Sequence, residues 1–256
     1  MNDIPKSIKS RISDNNIVIG SWITLAHPAI AEIMARAGFD WLTIDLEHSV
    51  ITIREAEELI RIIDLCGVVP LVRLSSNDPV QIKRVMDAGA HGVIVPMVNT
   101  AEEARKAVES VCYPPNGKRG VGLARAQGYG NSFENYKDWL NNESIIIVQI
   151  EHIKAVENLD AILSVDGVDG FIVGPYDLSG SLGVPGQFDD KVMNEAMNKI
   201  SAYVRNSSKI SGYHIVEPDL DQFQQRALEG YRFLAFSVDF RMLDTCCRSV
   251  IKSIKV

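Results

Sequence analysis

Acidic residues stand close behind apolar, β-branched runs at several points of this chain, and two of them could bind a metal ion. Glu151 and Asp177 each follow such a run by a few residues. If the runs are neighbouring strands, the two carboxylates can converge on a divalent cation, and hard oxygen ligands with several waters suit Mg²⁺ or Mn²⁺. Either acid could instead cap the helix that follows it. The presence of two such acids, with Glu47 as a third nearby, favours the metal.

Acid–base chemistry is indicated by Asp45 and His48, three residues apart at the end of another run. A carboxylate beside an imidazole raises the basicity of the ring and fixes its tautomer. Arg73 ends a further apolar run, where a guanidinium needs an anion. That anion could be a substrate carboxylate, or it could be Asp45 or Glu47 in a structural ion pair, and the sequence leaves both alternatives open.

The remaining histidines and the cysteines carry weaker signals. His27, His91 and His214 are interpreted as structural, although His214 ends a predicted strand and could touch the pocket. The four cysteines show no C-x-x-C spacing, and two of them are adjacent, which favours reduced thiols in a cytoplasmic protein over a zinc site or a disulfide framework. They are Cys66, Cys112, Cys246 and Cys247.

The elements that must position these residues are short β-branched runs alternating with segments of helical period. This alternation predicts a parallel sheet with eight strands. The predicted strands are Ile17–Trp22, Trp41–Asp45, Pro70–Arg73, Gly92–Val95, Ser144–Ile150, Gly170–Val173, Ser211–Ile215 and Phe233–Ser237.

The intervening segments carry helix start and stop signals. Thr52 caps one predicted helix, Pro79 opens another, and Thr100 with Glu103 matches a capping box. Eight strand–helix repeats without a flexible linker predict one α/β domain over residues 1–256, a (β/α)8 TIM barrel, with its active site at the carboxyl ends of the strands. The long Gly- and Pro-rich stretch Tyr113–Asn131 is expected to be a functional loop.

Composition excludes several classes of protein. The 256 residues are 46% apolar, which is enough for a large core, and 26 Lys+Arg against 33 Asp+Glu give a net charge of −7. No basic run suits nucleic acid, and no apolar stretch approaches the length of a membrane span. The glycine clusters lack the third glycine of a dinucleotide-binding loop and the G-K-[ST] of a phosphate-binding loop, and no G-x-S-x-G elbow occurs. Neither nucleic acid nor a membrane is therefore expected as a partner.

Several segments, in the same order along the chain, resemble a known family. They are Trp41-Leu-Thr-Ile-Asp45-Leu-Glu47-His48-Ser49, Asp87-Ala-Gly89-Ala, Val95-Pro-Met-Val98, Tyr113-Pro-Pro-Asn-Gly-Lys-Arg119-Gly, Gln149-Ile-Glu151 and Gly174-Pro-Tyr-Asp177-Leu-Ser. Together they resemble the class II hydroxyheptanedioate/ketodeoxyglucarate (HpcH/HpaI) aldolases, metal-dependent pyruvate aldolases of the phosphoenolpyruvate/pyruvate barrel superfamily. The resemblance runs from about Gly20 to Asp239.

The resemblance implies a carbon–carbon lyase that cleaves or forms a 4-hydroxy-2-oxo acid, with pyruvate and an aldehyde as the other partners. It implies that Glu151 and Asp177 bind the metal, with Glu47 behind them, and that Arg73 faces the enolate oxygen. Mg²⁺ is the expected metal, with Mn²⁺ or Co²⁺ as alternatives. No lysine ends a predicted strand, which disfavours a Schiff-base route.

The same resemblance implies roles for the residues around the metal. Gln149 would contact the pyruvate unit, the amides near Gly174 and Tyr176 would hold its carboxylate, and Asp45 with His48 would act as acid and base. Two alternatives stay open. The machinery could serve another substrate, such as an acyl thioester or a decarboxylation, or the barrel could bind a keto acid without turnover.

Two residues depart from the family pattern. Tyr176 stands where the family often has a small residue, and His152 stands where it often has Thr.

The resemblance also implies an assembly. The family exchanges its C-terminal helix between subunits of a homo-oligomer, a trimer or hexamer, and here that helix would be the segment from Phe240 to Ile254. Its apolar positions recur at helical spacing, which predicts one buried face. They are Met242, Leu243, Cys246, Val250 and Ile254.

Overall fold

Eight parallel strands pair in sequence order, and the last pairs with the first, so that the sheet closes into a barrel. The computed structural model describes residues 8–255. The strands are β1 Val18–Ile23, β2 Trp41–Asp45, β3 Val69–Arg73, β4 Gly92–Val95, β5 Ile145–Ile150, β6 Gly170–Val173, β7 Ile210–Ile215 and β8 Phe233–Val238. Each predicted strand is present, with ends that differ from the prediction by one residue at most.

Helices follow the strands and surround the barrel, as the α/β alternation predicts. They are α1 Ile8–Ser13, α2 Pro28–Arg36, α3 Ile53–Leu65, α4 Pro79–Asp87, α5 Ala101–Val111, α6 Phe133–Asn142, α7 Ile153–Glu157, α8 Leu159–Leu163, α9 Pro175–Ser181, α10 Lys191–Asn206, α11 Leu220–Leu228 and α12 Asp239–Ile254. The expected capping boxes are present at Thr52 and Thr100, each reciprocated by the glutamate three residues later. None of the helices in the described part of the chain has the length and apolar character required to cross a bilayer.

The barrel interior is filled by large side chains. Trp41 on β2 stacks on Phe233 of β8 with ring centroids 4.1 Å apart. Gly20 on β1 makes room for this pair, because a Cβ there would lie 2.0 Å from the indole ring of Trp41. Ile8 of α1 packs into the same cluster. The barrel interior is therefore a packed core and not a channel.

The stretch Tyr113–Asn131, which contains a 3-10 helix at Arg125–Gly130, connects α5 to α6 before β5. It thus lies at the amino-terminal end of the barrel, away from the strand ends that carry the predicted site, and its expected functional role stays a prediction. The apolar positions of α12 are not buried in this chain, and Leu243, Val250 and Ile254 are at least half exposed. The four cysteines are free, as expected.

Candidate active site

A pocket of about 330 Å³ opens at the carboxyl ends of the strands. Its walls come from β1, β3, β5, β6, β7 and the loops that follow β2, β6 and β7. The lining residues are Trp22, His48, Arg73, Gln149, Ile172, Val173, Gly174, Pro175, Tyr176, Asp177, His214 and Val216. The predicted site residues Asp45, Glu47 and Glu151 lie behind this lining, in contact with it.

Arg73 forms the centre of the pocket's polar network. Its guanidinium donates from Nε and Nη2 to both carboxylate oxygens of Asp45, at 2.9 and 2.6 Å. Nη1 lies 3.3 Å from Glu47 Oε2, and the guanidinium carbon lies 4.4 Å from the ring centroid of Trp22. Burial alone would raise the pKa of Asp45, but the hydrogen bonds and charge of Arg73 outweigh burial and hold that pKa below its usual value. Asp45 and Glu47 are thus the anions that balance Arg73.

The expected pairing of Asp45 with the His48 ring is wrong. The Asp45 carboxylate accepts the backbone N–H of His48 at 3.3 Å and that of Glu47 at 2.9 Å. The His48 ring instead lies beside Glu47, with Nε2 3.9 Å from Oε2. A spacing of three residues brings Asp45 to the backbone of the turn, and the bidentate geometry of Arg73 then occupies both carboxylate oxygens. His48 itself is exposed and lines the pocket.

Three carboxylates, Glu47, Glu151 and Asp177, form an acidic cluster. Burial raises the pKa of Glu47 to about 7, the charge of Arg73 opposes this shift, and the charges of Asp45 and Asp177 add to it. Burial raises the pKa of Glu151 to about 7 as well, and Glu47 and Asp177 contribute in the same direction. Glu151 is buried, Glu47 is largely buried and Asp177 is exposed. Neighbouring carboxylates disfavour one another's ionised forms, and a bound cation would relieve this repulsion.

Two hydrogen bonds, one from a backbone amide and one from a side-chain amide, fix the orientation of Glu151. Its Oε1 accepts the N–H of Met97 at 2.6 Å, and its Oε2 accepts from the side-chain amide of Gln149. Met97 adopts a left-handed conformation with φ of 53°, which is unusual for a residue with a side chain. Gly174 closes the other side, since a Cβ there would lie 3.2 Å from Glu151 Oε2. The role of Met97 was not predicted, because a backbone donor leaves no mark on residue type.

The donor set is compatible with a divalent cation. The buried Gln149 Oε1 has no hydrogen-bond partner, and the buried Glu47 Oε2 has only its ion-pair contact with Arg73. Among residues 8–255 no group of three or more His, Cys, Asp and Glu side chains is arranged so that it could hold a metal ion by itself. Glu151 and Asp177 would therefore supply two oxygen ligands and leave the other positions to water or substrate oxygens, the arrangement in which Mg²⁺ usually binds.

The aromatic side of the pocket is formed by Trp22 and His214, whose ring centroids lie 5.0 Å apart. His214 ends a predicted strand, and the expectation that it could touch the pocket is confirmed. Trp22 looks like an ordinary core residue in the sequence and was not predicted. Its position at the end of β1 is the signal that could have identified it.

The two residues that depart from the family pattern, Tyr176 and His152, lie in different places. Tyr176 lines the pocket and packs edge-on against Phe188, with centroids 4.9 Å apart. His152 instead caps α7, where its Nδ1 accepts the N–H of Lys154 at 3.1 Å. Among the described residues that line the pocket there is no lysine.

Comparisons with known proteins identify the family of this chain. Residues 18–244 match the model of the family described as HpcH/HpaI aldolase/citrate lyase. The chain is 37% identical over 246 residues to a hydroxypyruvate/pyruvate aldolase of Roseobacter denitrificans, covering 95% of each chain. It is 40% identical over 240 residues to a 4-hydroxy-2-oxo-heptane-1,7-dioate aldolase of Escherichia coli, covering 93% of this chain and 90% of the relative.

A solved structure agrees with these matches. The crystal structure of an HpcH/HpaI aldolase/citrate lyase family protein from Burkholderia cenocepacia superposes with a TM-score of 0.91 at 30% identity, covering 97% of this chain and 99% of that one. The fold, the pocket and these relatives define a carbon–carbon lyase of the aldolase type, built on a closed eight-stranded barrel. The chain belongs to the HpcH/HpaI aldolase/citrate lyase family.

Proposed function

We propose that this protein is a divalent-metal-dependent aldolase that interconverts a 4-hydroxy-2-oxo acid with pyruvate and an aldehyde. The observation that carries the proposal is the acidic cluster of Glu47, Glu151 and Asp177 beside the buried Arg73, at the carboxyl end of the barrel. Such an arrangement would provide carboxylates for a cation next to a guanidinium for a developing anion.

Glu151 and Asp177 would hold the cation, with Glu47 behind them. Mg²⁺ is the expected metal, and Mn²⁺ or Co²⁺ would substitute. When bound, the cation would stabilise the negative charge that develops on the oxo acid's oxygens as the carbon–carbon bond breaks.

The residues of the chain would supply the rest of the reaction. His48, the exposed imidazole at the pocket, would take the proton from the 4-hydroxyl as the C3–C4 bond breaks. Arg73, held by Asp45, would face the C2 oxygen, which becomes the enolate oxygen. Asp45 thus positions Arg73 and does not orient the imidazole.

Binding of the pyruvate unit falls to the other side of the pocket. Gln149 would contact it through its side-chain amide, and the backbone amides near Gly174 and Tyr176 would hold its carboxylate. The relatives are named for different oxo acids at nearly equal identity: hydroxypyruvate or pyruvate, 2-keto-3-deoxy-L-rhamnonate, and 4-hydroxy-2-oxo-heptane-1,7-dioate. These names support an oxo-acid substrate and leave the aldehyde open.

We also propose that the chain forms a homo-oligomer, a trimer or hexamer, in the cytoplasm. The support is α12, whose apolar positions Leu243, Val250 and Ile254 are exposed in the single chain. In the assembly this helix would pack on the barrel of another subunit. The four free cysteines are compatible with a reducing compartment.

Metal removal tests the function. We expect a chelator to abolish cleavage of 4-hydroxy-2-oxo acids and Mg²⁺, Mn²⁺ or Co²⁺ to restore it. Glu151→Gln and Asp177→Asn should weaken Mn²⁺ binding measured by calorimetry, because each removes a charged ligand, whereas the exposed Glu134→Gln should not. Full activity in excess chelator, or a borohydride-trapped adduct with pyruvate, would refute the proposal.

A further inference from the structure

His214 presents a polar atom to the pocket that the proposed reaction does not use. It lies on β7, and its ring lies against Trp22 with a 5.0 Å separation of centroids. Its Nε2 lies 3.3 Å from the backbone carbonyl oxygen of Ser237. The residue lines the same pocket as Arg73 and Asp177, on a wall that otherwise consists of apolar and aromatic surface.

The contact with Ser237 fixes the tautomer of the ring. A carbonyl oxygen only accepts, so Nε2 must carry the hydrogen and Nδ1 must carry the lone pair. Burial, followed by the charge of Arg73, lowers the pKa of His214 to about 3, so the ring is neutral near pH 7. His214 is therefore a hydrogen-bond acceptor at Nδ1 and a poor candidate for an acid or base.

No protein donor meets this acceptor in the described structure. Nδ1 has no hydrogen-bond partner, but it is not sealed from solvent. The indole nitrogen of Trp22, in contrast, is both unpartnered and sealed from solvent. Arg73, the guanidinium of the same pocket, is directed to Asp45 and Glu47. A ligand that covered this wall with hydrocarbon would leave Nδ1 buried and unpaired, which a ligand with a hydroxyl group avoids.

We propose that Nδ1 of His214 accepts a hydrogen bond from a substrate hydroxyl other than the reacting 4-hydroxyl, so that the site selects hydroxylated substrates. This inference rests on the proposed aldolase function and adds the substrate class. Two sources carry the same chemistry: a hydroxyl at C3, contributed by hydroxypyruvate in place of pyruvate, and a hydroxyl on the aldehyde.

The test compares substrate pairs in the aldol direction. One pair is pyruvate against hydroxypyruvate with a common aldehyde, and the other is acetaldehyde against glycolaldehyde with pyruvate. The readout is the kcat/KM ratio within each pair, compared between variants, because the members of a pair differ in intrinsic reactivity. We expect His214→Leu to lower the hydroxylated-to-plain ratio about tenfold in one pair, the scale of one lost hydrogen bond, and that pair identifies the source.

Two further variants sharpen the result. His214→Asn, which can place an amide oxygen near the position of Nδ1, should recover part of the ratio. Val216→Ala, which alters the same wall without removing a polar atom, should leave the ratio unchanged. If the leucine variant does not fold, Asn is compared with His214→Gln, whose amide reaches the Nε2 position and should not restore the ratio.

Ratios within twofold of wild type for His214→Leu in both pairs, or equal ratios for the Asn and Gln variants, would overturn the inference while leaving the aldolase function intact. Absence of wild-type turnover with all four substrates would overturn the proposed function itself, and the inference with it.

Discussion

At the scale of single residues, the site depends on how Arg73 is held. Its guanidinium is buried and fixed on three sides, by Asp45, Glu47 and the ring of Trp22. Because the planar fork matches the two oxygens of Asp45, its orientation is set before any substrate binds. The sequence left open whether this arginine pairs with protein carboxylates or with substrate, and the geometry supports both, since the residue also lines the pocket.

We predict that Arg73→Lys lowers kcat by about 10²-fold, the usual scale for removing a donor that stabilises a developing oxyanion. Lysine keeps the charge but cannot bind both oxygens of Asp45 and still face the pocket. Steady-state kinetics of pyruvate release would measure this, with Arg61→Lys on the exposed face of α3 as the matched control. A kcat near that of wild type would reduce Arg73 to a structural ion pair.

At the scale of elements, an ion-pair cluster joins α3 to the 3-10 segment and to the start of β4. Asp64 at the end of α3 accepts from Arg125, and its Oδ1 lies 3.3 Å from His91 Nε2. Burial would raise the pKa of Asp64, but the hydrogen bonds and charges of His91 and Arg125 outweigh it and lower that pKa below 3.8. The cluster lies at the amino-terminal end of the barrel, so we expect it to contribute to stability.

A carboxyl whose pKa is lower in the folded state contributes stability above its unfolded pKa and loses that stability as the pH falls through its folded value. Asp64→Asn should therefore lower the unfolding free energy at pH 7 by about 1 kcal/mol, the scale of a partly exposed pair. The difference from wild type should shrink as the pH falls below 3.8 towards the lower folded pKa. Thermal unfolding followed by circular dichroism from pH 3 to pH 7 measures this, with the exposed Asp138→Asn as control. A difference as large at pH 3 as at pH 7 would contradict the ion-pair explanation.

At the scale of the whole molecule, α12 is the element that the single chain does not explain. Its polar face is satisfied within the chain, since Arg241 contacts both Glu217 and Asp244. Its apolar side, which includes Leu243, is exposed. An apolar stripe of this length on an amphipathic helix favours a protein partner, and the proposed oligomer supplies one.

We predict that Leu243→Asp shifts the protein to a smaller species in size-exclusion chromatography with light scattering. A charge on the apolar stripe would have to be buried without a partner in the assembly. Thr245→Asp, on the opposite side of the helix, serves as the matched control and should leave the mass unchanged. If wild type and Leu243→Asp elute as the same species, α12 does not form the interface.

The strand positions, the helix caps and the polar residues at the strand ends could be predicted from the sequence, because periodicity, capping chemistry and the βα alternation are local properties. The family could be identified for the same reason, through motifs such as Trp41–Ser49 that stay contiguous along the chain. Which side chains meet was decided only by the barrel. Asp45 pairs with Arg73 because β2 and β3 are neighbours in register, with Asp45 opposite Arg73. Trp22 on β1 and His214 on β7 meet because both strands are neighbours of β8, which no local pattern encodes. The amide of Met97 reaches Glu151 through a backbone conformation that residue type does not reveal.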